Sequence, residues 1–151
     1  MLSDLIHNQT LWIAVCSWVI AQTSKVIIIL IQEKRLAWNF FFSSGGMPSA
    51  HTATVCALTT AVAMTLGLGS PYFSISVVLT IIVIYDAAGV RQSVGQHSIV
   101  LNRLVREFSF KKPKPAFEKD FKEFIGHTPI QVFVGAVMGI LIAWLWVTLS
   151  R

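Results

Sequence analysis

Four apolar stretches dominate the sequence, and each is long enough to cross a membrane as a helix. They cover residues 11–32, 48–68, 71–90 and 129–150. A hydrocarbon core of about 30 Å requires about 20 helical residues, which is close to the length of each stretch. Of the 151 residues, 54% are hydrophobic and 13% are charged, which is more apolar surface than one soluble core of this size can bury. The sequence therefore predicts an all-α integral membrane protein, a bundle of about four transmembrane helices.

Residues that start and stop helices lie at the ends of these stretches. A Gly-Gly-Met turn precedes Pro48, Gly-Leu-Gly-Ser-Pro occupies 67–71, and Thr128 precedes Pro129. Proline is favoured in the first helical turn, and Ser or Thr is favoured as the cap before it. The second and third stretches therefore predict a helical hairpin. No repeat or second domain is evident, so residues 1–151 are expected to form a single membrane domain.

The long connection 91–126 has its own pattern. Apolar residues recur near helical spacing in its first half, with arginines between them, which predicts an amphipathic helix lying in the membrane interface. The apolar positions are Val94, Leu101, Leu104, Val105 and Phe108.

Positive charge is concentrated on two connections. Eight of the twelve Lys and Arg residues fall between Arg91 and Lys122, and the loop 33–46 carries Lys34 and Arg35. The reversal at 67–71 carries none. The positive-inside rule therefore predicts that loops 33–46 and 91–126 are cytoplasmic and that both termini lie outside. Since the charge lies beside apolar stretches, it indicates contact with anionic membrane lipids and not with nucleic acid.

Ionisable residues are rare within or beside the apolar stretches. They are Lys25, His51, Asp86, Arg91 and His127. Placing such a group in a bilayer costs at least about 2.5 kcal/mol, so each is a candidate functional residue. The five come from different parts of the sequence, yet the predicted topology brings them to the same, cytoplasmic membrane face. That convergence predicts a polar site there.

The turn before the second stretch suits an anion. It reads Gly45-Gly46-Met47-Pro48-Ser49-Ala50-His51. Unpaired N–H groups and the positive end of the helix dipole at such a helix start favour a phosphate oxyanion. An ordinary helix entry has a similar composition, so the anion site depends on Lys25, Arg91 and the two histidines sharing that face. The sequence has no carboxylate cluster for Mg²⁺, and no metal is expected.

The fourth stretch contains Gly135 and Gly139, a GxxxG pair. Small residues at this spacing let helix backbones approach closely. The pair is consistent with a contact inside one chain, with a homo-oligomer, or with chance small residues in an apolar helix.

Motifs occur in a fixed order along nearly the whole chain. They are Ala21-Gln22-x-x-Lys25, Gly46-Met47-Pro48-Ser49-Ala50-His51-Thr52, Tyr85-Asp86-Ala87-x-Gly89-Val90-Arg91, Leu101-Asn102 and Gly126-His127-Thr128-Pro129. This arrangement resembles a small, divergent bacterial and plastid branch of the type 2 phosphatidic acid phosphatase and vanadium-dependent haloperoxidase superfamily. The resemblance implies residence in a bacterial cytoplasmic membrane.

The resemblance also implies an activity: release of phosphate from a lipid phosphate or pyrophosphate through a phosphohistidine, without a cofactor. His127 would be the nucleophile and His51 the general acid. The substrate-binding residues would be Lys25, Gly46, Ser49 and Arg91, with backbone amides near Ser49 stabilising the transition state.

Two departures from the superfamily pattern leave alternatives open. An arginine commonly stands a few residues before the nucleophilic histidine, and here Arg91 has that relation to His97 and not to His127. Gln131 occupies the position of an acidic partner of the nucleophile, and Asp86 either supplies that charge or pairs with Arg91. A glutamine can orient an imidazole but cannot stabilise its charge as a carboxylate does. The alternative function is therefore a non-catalytic protein that binds lipid phosphate or regulates a partner.

The predicted orientation can be tested with Ser109→Cys, in the basic loop, and Ser150→Cys, near the carboxyl terminus. We expect a membrane-impermeant maleimide to label the Ser109→Cys variant only in inside-out vesicles and the Ser150→Cys variant only in intact cells. The unsubstituted chain, with Cys16 and Cys56 inside apolar stretches, gives the background. The opposite labelling pattern would reverse the topology.

Overall fold

A computed structural model describes residues 2–34, 41, 45–90, 97, 100, 101 and 128–150. Within these residues the secondary structure is helical, and the predicted all-α class is confirmed. The α-helices are α1 (Leu2–Ile6), α2 (Gln9–Glu33), α3 (Ala50–Leu66), α4 (Pro71–Tyr85) and α5 (Pro129–Leu149). A π-helical turn, Asp86–Val90, follows α4 directly.

Among the described residues, three helical segments are long and apolar enough to cross a membrane. They are Gln9–Glu33, Pro71–Gly89 and Pro129–Leu149. The remaining apolar helix, α3, has 17 residues, at the lower limit for a span. The described part of the bundle therefore has three full-length spans and one shorter apolar helix, in line with the predicted bundle of about four spans. The predicted interfacial helix lies outside the described residues, except for His97, Val100 and Leu101, which are helical and exposed.

Side-chain caps fix where the helices begin. Ser70 caps α4 and Thr128 caps α5, each followed by a proline as predicted. The start of α3 differs from the prediction, because Pro48 precedes the cap and does not lie in the first turn. Ser49 is the cap, and its hydroxyl oxygen accepts a hydrogen bond from Thr52 N.

Helix α3 lies at the centre and packs against α2, α4 and α5. The neighbouring helix α2 is antiparallel to it, and the Ser17 hydroxyl donates to Ala53 O over 3.1 Å. The predicted α3–α4 hairpin is confirmed, since the Thr59 and Thr80 hydroxyl oxygens lie 2.8 Å apart across it. These pairings bring the carboxyl-terminal ends of α2 and α4 to the end of the bundle where α3 begins.

Helix α5 runs parallel to α3, in close contact with it. A Cβ added to Gly135 would lie 2.5 Å from Ser49 O, and a Cβ added to Gly139 would overlap Ala53 O. The GxxxG pair therefore packs against α3 of the same chain. An association between two copies stays a prediction, and the faces of these two glycines are already covered.

The inner surfaces of the helices are small, and the outer surfaces are large and apolar. At the end of the bundle away from Lys25, the core consists of Ile13, Ala57, Ala61, Ala143 and Val147. The exposed side of α4 presents branched and aromatic residues. Such an outer face fits contact with lipid tails. Lipid tails are as apolar as these side chains, so the hydrophobic effect contributes little to association between the helices. The helix contacts therefore depend on close van der Waals packing of the backbones.

Replacing Gly139 by alanine should force α3 and α5 apart. We expect Gly139→Ala to lower the free energy of unfolding by roughly 1–3 kcal/mol, the usual cost of overpacking. Thermal or denaturant unfolding in detergent measures the change. The matched control is Gly69→Ala, where an added Cβ meets nothing within 4 Å and the change should be under about 1 kcal/mol. Equal effects of the two variants would contradict the close contact.

Candidate functional site

Lys25 is a basic residue buried within the described part of the bundle. It lies on α2 about two turns before the helix ends, and only 2% of its surface is exposed. Its side chain passes beside the turn that leads into α3. A Cβ added to Gly46 in that turn would lie 3.7 Å from Lys25 Cδ. Gly46 has φ of 88°, a left-handed conformation that glycine adopts without strain. The structure thus brings together Lys25 and Gly46, two of the predicted binding residues.

Ser49 is fully buried and connects α3 to α5. Its hydroxyl oxygen accepts hydrogen bonds from Thr52 N, at 3.4 Å, and from the Thr52 hydroxyl, at 3.0 Å. Its own N–H donates to Gln131 O at 3.0 Å. The sequence prediction gave backbone amides near Ser49 to a phosphate oxyanion, but this contact uses the Ser49 N–H for helix packing. Its side chain and amide therefore hold two helix starts in place.

His51 lies in the first turn of α3, at the same end of the bundle as Lys25. Its side chain is exposed, whereas its neighbours Ala50 and Thr52 are fully buried. An exposed imidazole at a helix start can reach a group that arrives from the membrane face. The structure therefore places His51 at the surface, at the end of the bundle where Lys25 is buried.

Gln131 takes part in the start of α5. Its side-chain oxygen accepts from Thr128 N at 3.1 Å, and the Thr128 hydroxyl oxygen accepts from Gln131 N at 3.4 Å. The two residues form a capping box, for which glutamine and glutamate are both suited. Sequence reasoning considered Gln131 only as support for a catalytic imidazole and missed this role. The Thr-x-x-Gln signature at 128–131 was the signal that could have revealed it.

Asp86 begins the π-helical turn after α4, and it is half-buried. That turn contacts α5, so Asp86 lies at the end of the bundle where α3 and α5 start. Isolated π-helical turns are frequent at functional sites, because they redirect side chains within a helix. Arg91 and His127 lie outside the described residues, so their predicted places beside Asp86 and the other site residues stay predictions.

Gln22 is a further polar residue at this end, and sequence reasoning did not place it in the site. It lies three residues before Lys25 on α2, which puts both on one helix face. Only 5% of Gln22 is exposed, and its side-chain oxygen has no hydrogen-bond partner among the residues that the structure describes. The signal that could have identified it was its position inside an apolar stretch, in the Ala-Gln-x-x-Lys motif.

The described part of the chain holds no group of three His, Cys, Asp or Glu residues suited to a metal ion. The described residues at this end provide a buried lysine, an exposed imidazole and two adjacent helix starts.

These features define a helical membrane protein with a polar site at one end of the bundle. The chain belongs to the Divergent PAP2 family, because the sequence model of that family matches residues 6–142. It is also similar to the "Uncharacterized membrane protein YuiD" of Bacillus subtilis (strain 168), with 38% identity over 148 residues, 92% of this chain and 94% of the relative. No solved structure matches the chain. The resemblance predicted from the motifs is thereby confirmed at the level of the family.

The cap at Ser49 can be tested against the cap at Ser70. Ser49→Ala removes the acceptor of both Thr52 groups and leaves a buried hydroxyl without its partner, so we expect a loss of about 2 kcal/mol in the free energy of unfolding. Ser70→Ala removes one bond, to Tyr72 N, at a half-buried position and should cost about 1 kcal/mol or less. Unfolding in detergent gives both values. A smaller loss for Ser49→Ala than for Ser70→Ala would contradict the connection described above.

Proposed function

We propose that this protein is a membrane phosphatase that removes phosphate from a lipid phosphate or pyrophosphate through a phosphohistidine. The observation that carries the proposal is the burial of Lys25 beside the Gly46 turn, at the end of the bundle where α3 and α5 both begin. Membership of the Divergent PAP2 family supports a phosphatase ancestry for that site.

The electrostatics of this end favour an anion. Each helix start carries a partial positive charge, and the bond from Ser49 N to Gln131 O places the starts of α3 and α5 side by side. A protonated Lys25 adds a full positive charge at low exposure. Positive potential from the two helix starts and the lysine attracts an anion, so this arrangement suits a bound phosphate group.

The reaction requires a nucleophile and an acid. In the first step, a ring nitrogen of His127 attacks phosphorus and the bond from phosphorus to the lipid oxygen breaks, while His51 donates a proton to that oxygen. In the second step, water attacks the phosphohistidine, His51 accepts a proton, and inorganic phosphate leaves. Lys25 and Arg91 stabilise the charge on the phosphoryl oxygens. The sequence position of His127, one residue before the cap of α5, supports this assignment.

A lipid substrate follows from the setting of the site. The exposed sides of the helices present large apolar residues, so acyl or prenyl chains can remain in the bilayer while the headgroup reaches Lys25. The predicted topology puts this end at the cytoplasmic face. We therefore propose a substrate whose terminal phosphate lies at the cytoplasmic surface of a bacterial membrane.

The test is phosphate release by the purified protein in detergent from phosphatidate, phosphatidylglycerophosphate and polyprenyl pyrophosphate. We expect turnover of at least one of them, a loss of about 1000-fold or more for His127→Ala, and a loss of about 100-fold for Lys25→Met, in line with the removal of a nucleophile or a charge-stabilising group. His7→Ala is the matched control, because His7 is exposed and its ring Nδ1 lies 2.7 Å from Ser3 O of the preceding helix α1.

The same assay separates the two candidate nucleophiles. A phosphoprotein trapped by acid quenching should be absent from His127→Ala and present in His97→Ala. The reverse result would move the nucleophile to His97. Equal phosphate release by the unsubstituted protein and by His127→Ala would refute the proposed mechanism.

The second candidate function is a lipid-phosphate binder without turnover. It is favoured by Gln131, whose side-chain oxygen caps α5 at a position where the superfamily has an acidic partner of the nucleophile. Phosphate or vanadate binding with no release of phosphate from any of the three lipids would establish this function in place of the phosphatase.

A further inference from the structure

Six polar or charged residues are buried in the described part of the bundle, and Gln22 differs from the others. The set consists of Ser17, Gln22, Lys25, Ser49, Thr52 and Ser76. The serine and threonine side chains of the set all make hydrogen bonds within the protein. The Gln22 oxygen is the buried side-chain atom in these residues that has no such partner.

A buried carbonyl oxygen without a partner destabilises the protein. Its desolvation costs about 1–3 kcal/mol, and an apolar residue of the same shape would avoid that cost. Thr23 and Ser24 show the alternative on the same helix turn, because their hydroxyls bond to Val19 O and Ile20 O of α2 itself. Gln22 instead projects its amide into the interior, on the face that carries Lys25.

We infer that Gln22 is a binding residue of the same site and that its side-chain oxygen accepts a hydrogen bond from the P–OH group of a terminal phosphate. This inference rests on the proposed function, since it names the form of phosphate that the site takes. Lys25 contributes the positive charge, and Gln22 contributes the one acceptor that a protonated phosphate oxygen requires.

The acceptor confers selectivity for a terminal phosphate over a phosphodiester. A phosphate monoester has a second pKa of about 6, so its monoanion keeps one O–H group, as does a terminal pyrophosphate. A phosphodiester anion has no O–H group and leaves the Gln22 oxygen without a partner. Because most membrane phospholipids are diesters, Gln22 would help exclude the abundant lipids from the site.

The test compares two lipids of identical acyl chains, phosphatidate and phosphatidylmethanol, which differ in the P–OH group. Binding is measured by titration of the full-length protein in detergent micelles. The variant is Gln22→Met, which keeps the length of the side chain and removes its amide. Thr23→Val is the control, because Thr23 is exposed and bonds within its own helix.

We expect Gln22→Met to weaken phosphatidate binding about tenfold and phosphatidylmethanol binding less than twofold, as suits the loss of one hydrogen bond. The melting temperature of the ligand-free variant should be equal to or higher than that of the unsubstituted protein. Thr23→Val should change neither affinity. This pairing of weaker binding with undiminished stability separates a binding role from a structural one.

Three results would overturn the inference. Unchanged phosphatidate affinity in Gln22→Met, with binding by the unsubstituted protein intact, would refute it and leave the proposed function standing. A lower melting temperature with equal losses for both lipids would show that Gln22 is structural. Failure of the unsubstituted protein to bind or hydrolyse any lipid phosphate would refute both proposals together.

Discussion

The contact between α3 and α5 is the interaction on which the rest of the structure depends. Gly135 and Gly139 let the two backbones approach, and the bond from Ser49 N to Gln131 O fixes their register. Since α2 and α4 pack on the other sides of α3, this register also determines where Lys25 and Asp86 lie. A side chain at either glycine would therefore alter the site as well as the packing.

Parallel packing of α3 and α5 has an electrostatic consequence. Antiparallel neighbours bring opposite helix ends together, whereas parallel neighbours bring like ends together and raise the local potential. Here two positive ends meet beside a buried lysine. The close backbone contact between α3 and α5 offsets the repulsion between the two positive helix ends. An anion bound at that end would reduce the repulsion further. The fold thus concentrates positive potential at this end of the bundle, as the proposed phosphate site requires.

Local sequence signals specified more of the fold than of the candidate site. Apolar length, Ser-Pro and Thr-Pro caps and the GxxxG pair are local signals, so helix positions were accessible from the printed residues. The π-helical turn at Asp86 was not, because it depends on a shift in backbone hydrogen bonding that no residue type specifies. The Ser49–Gln131 bond was also inaccessible, since it joins residues far apart in sequence. That bond engages the Ser49 N–H, so this amide is not available to a ligand.

The polar residues at this end divide into those that hold helices and those that can hold a ligand. Ser49, Thr52 and Gln131 satisfy one another or a neighbouring backbone group, and they give the helix starts their positions. The oxygen of Gln22 contributes nothing of that kind, although it is just as inaccessible to solvent. A lipid environment makes the difference meaningful, because an unpaired polar group there has no water to replace its missing partner. The inferred role in ligand binding therefore explains why such a costly group lies in the interior.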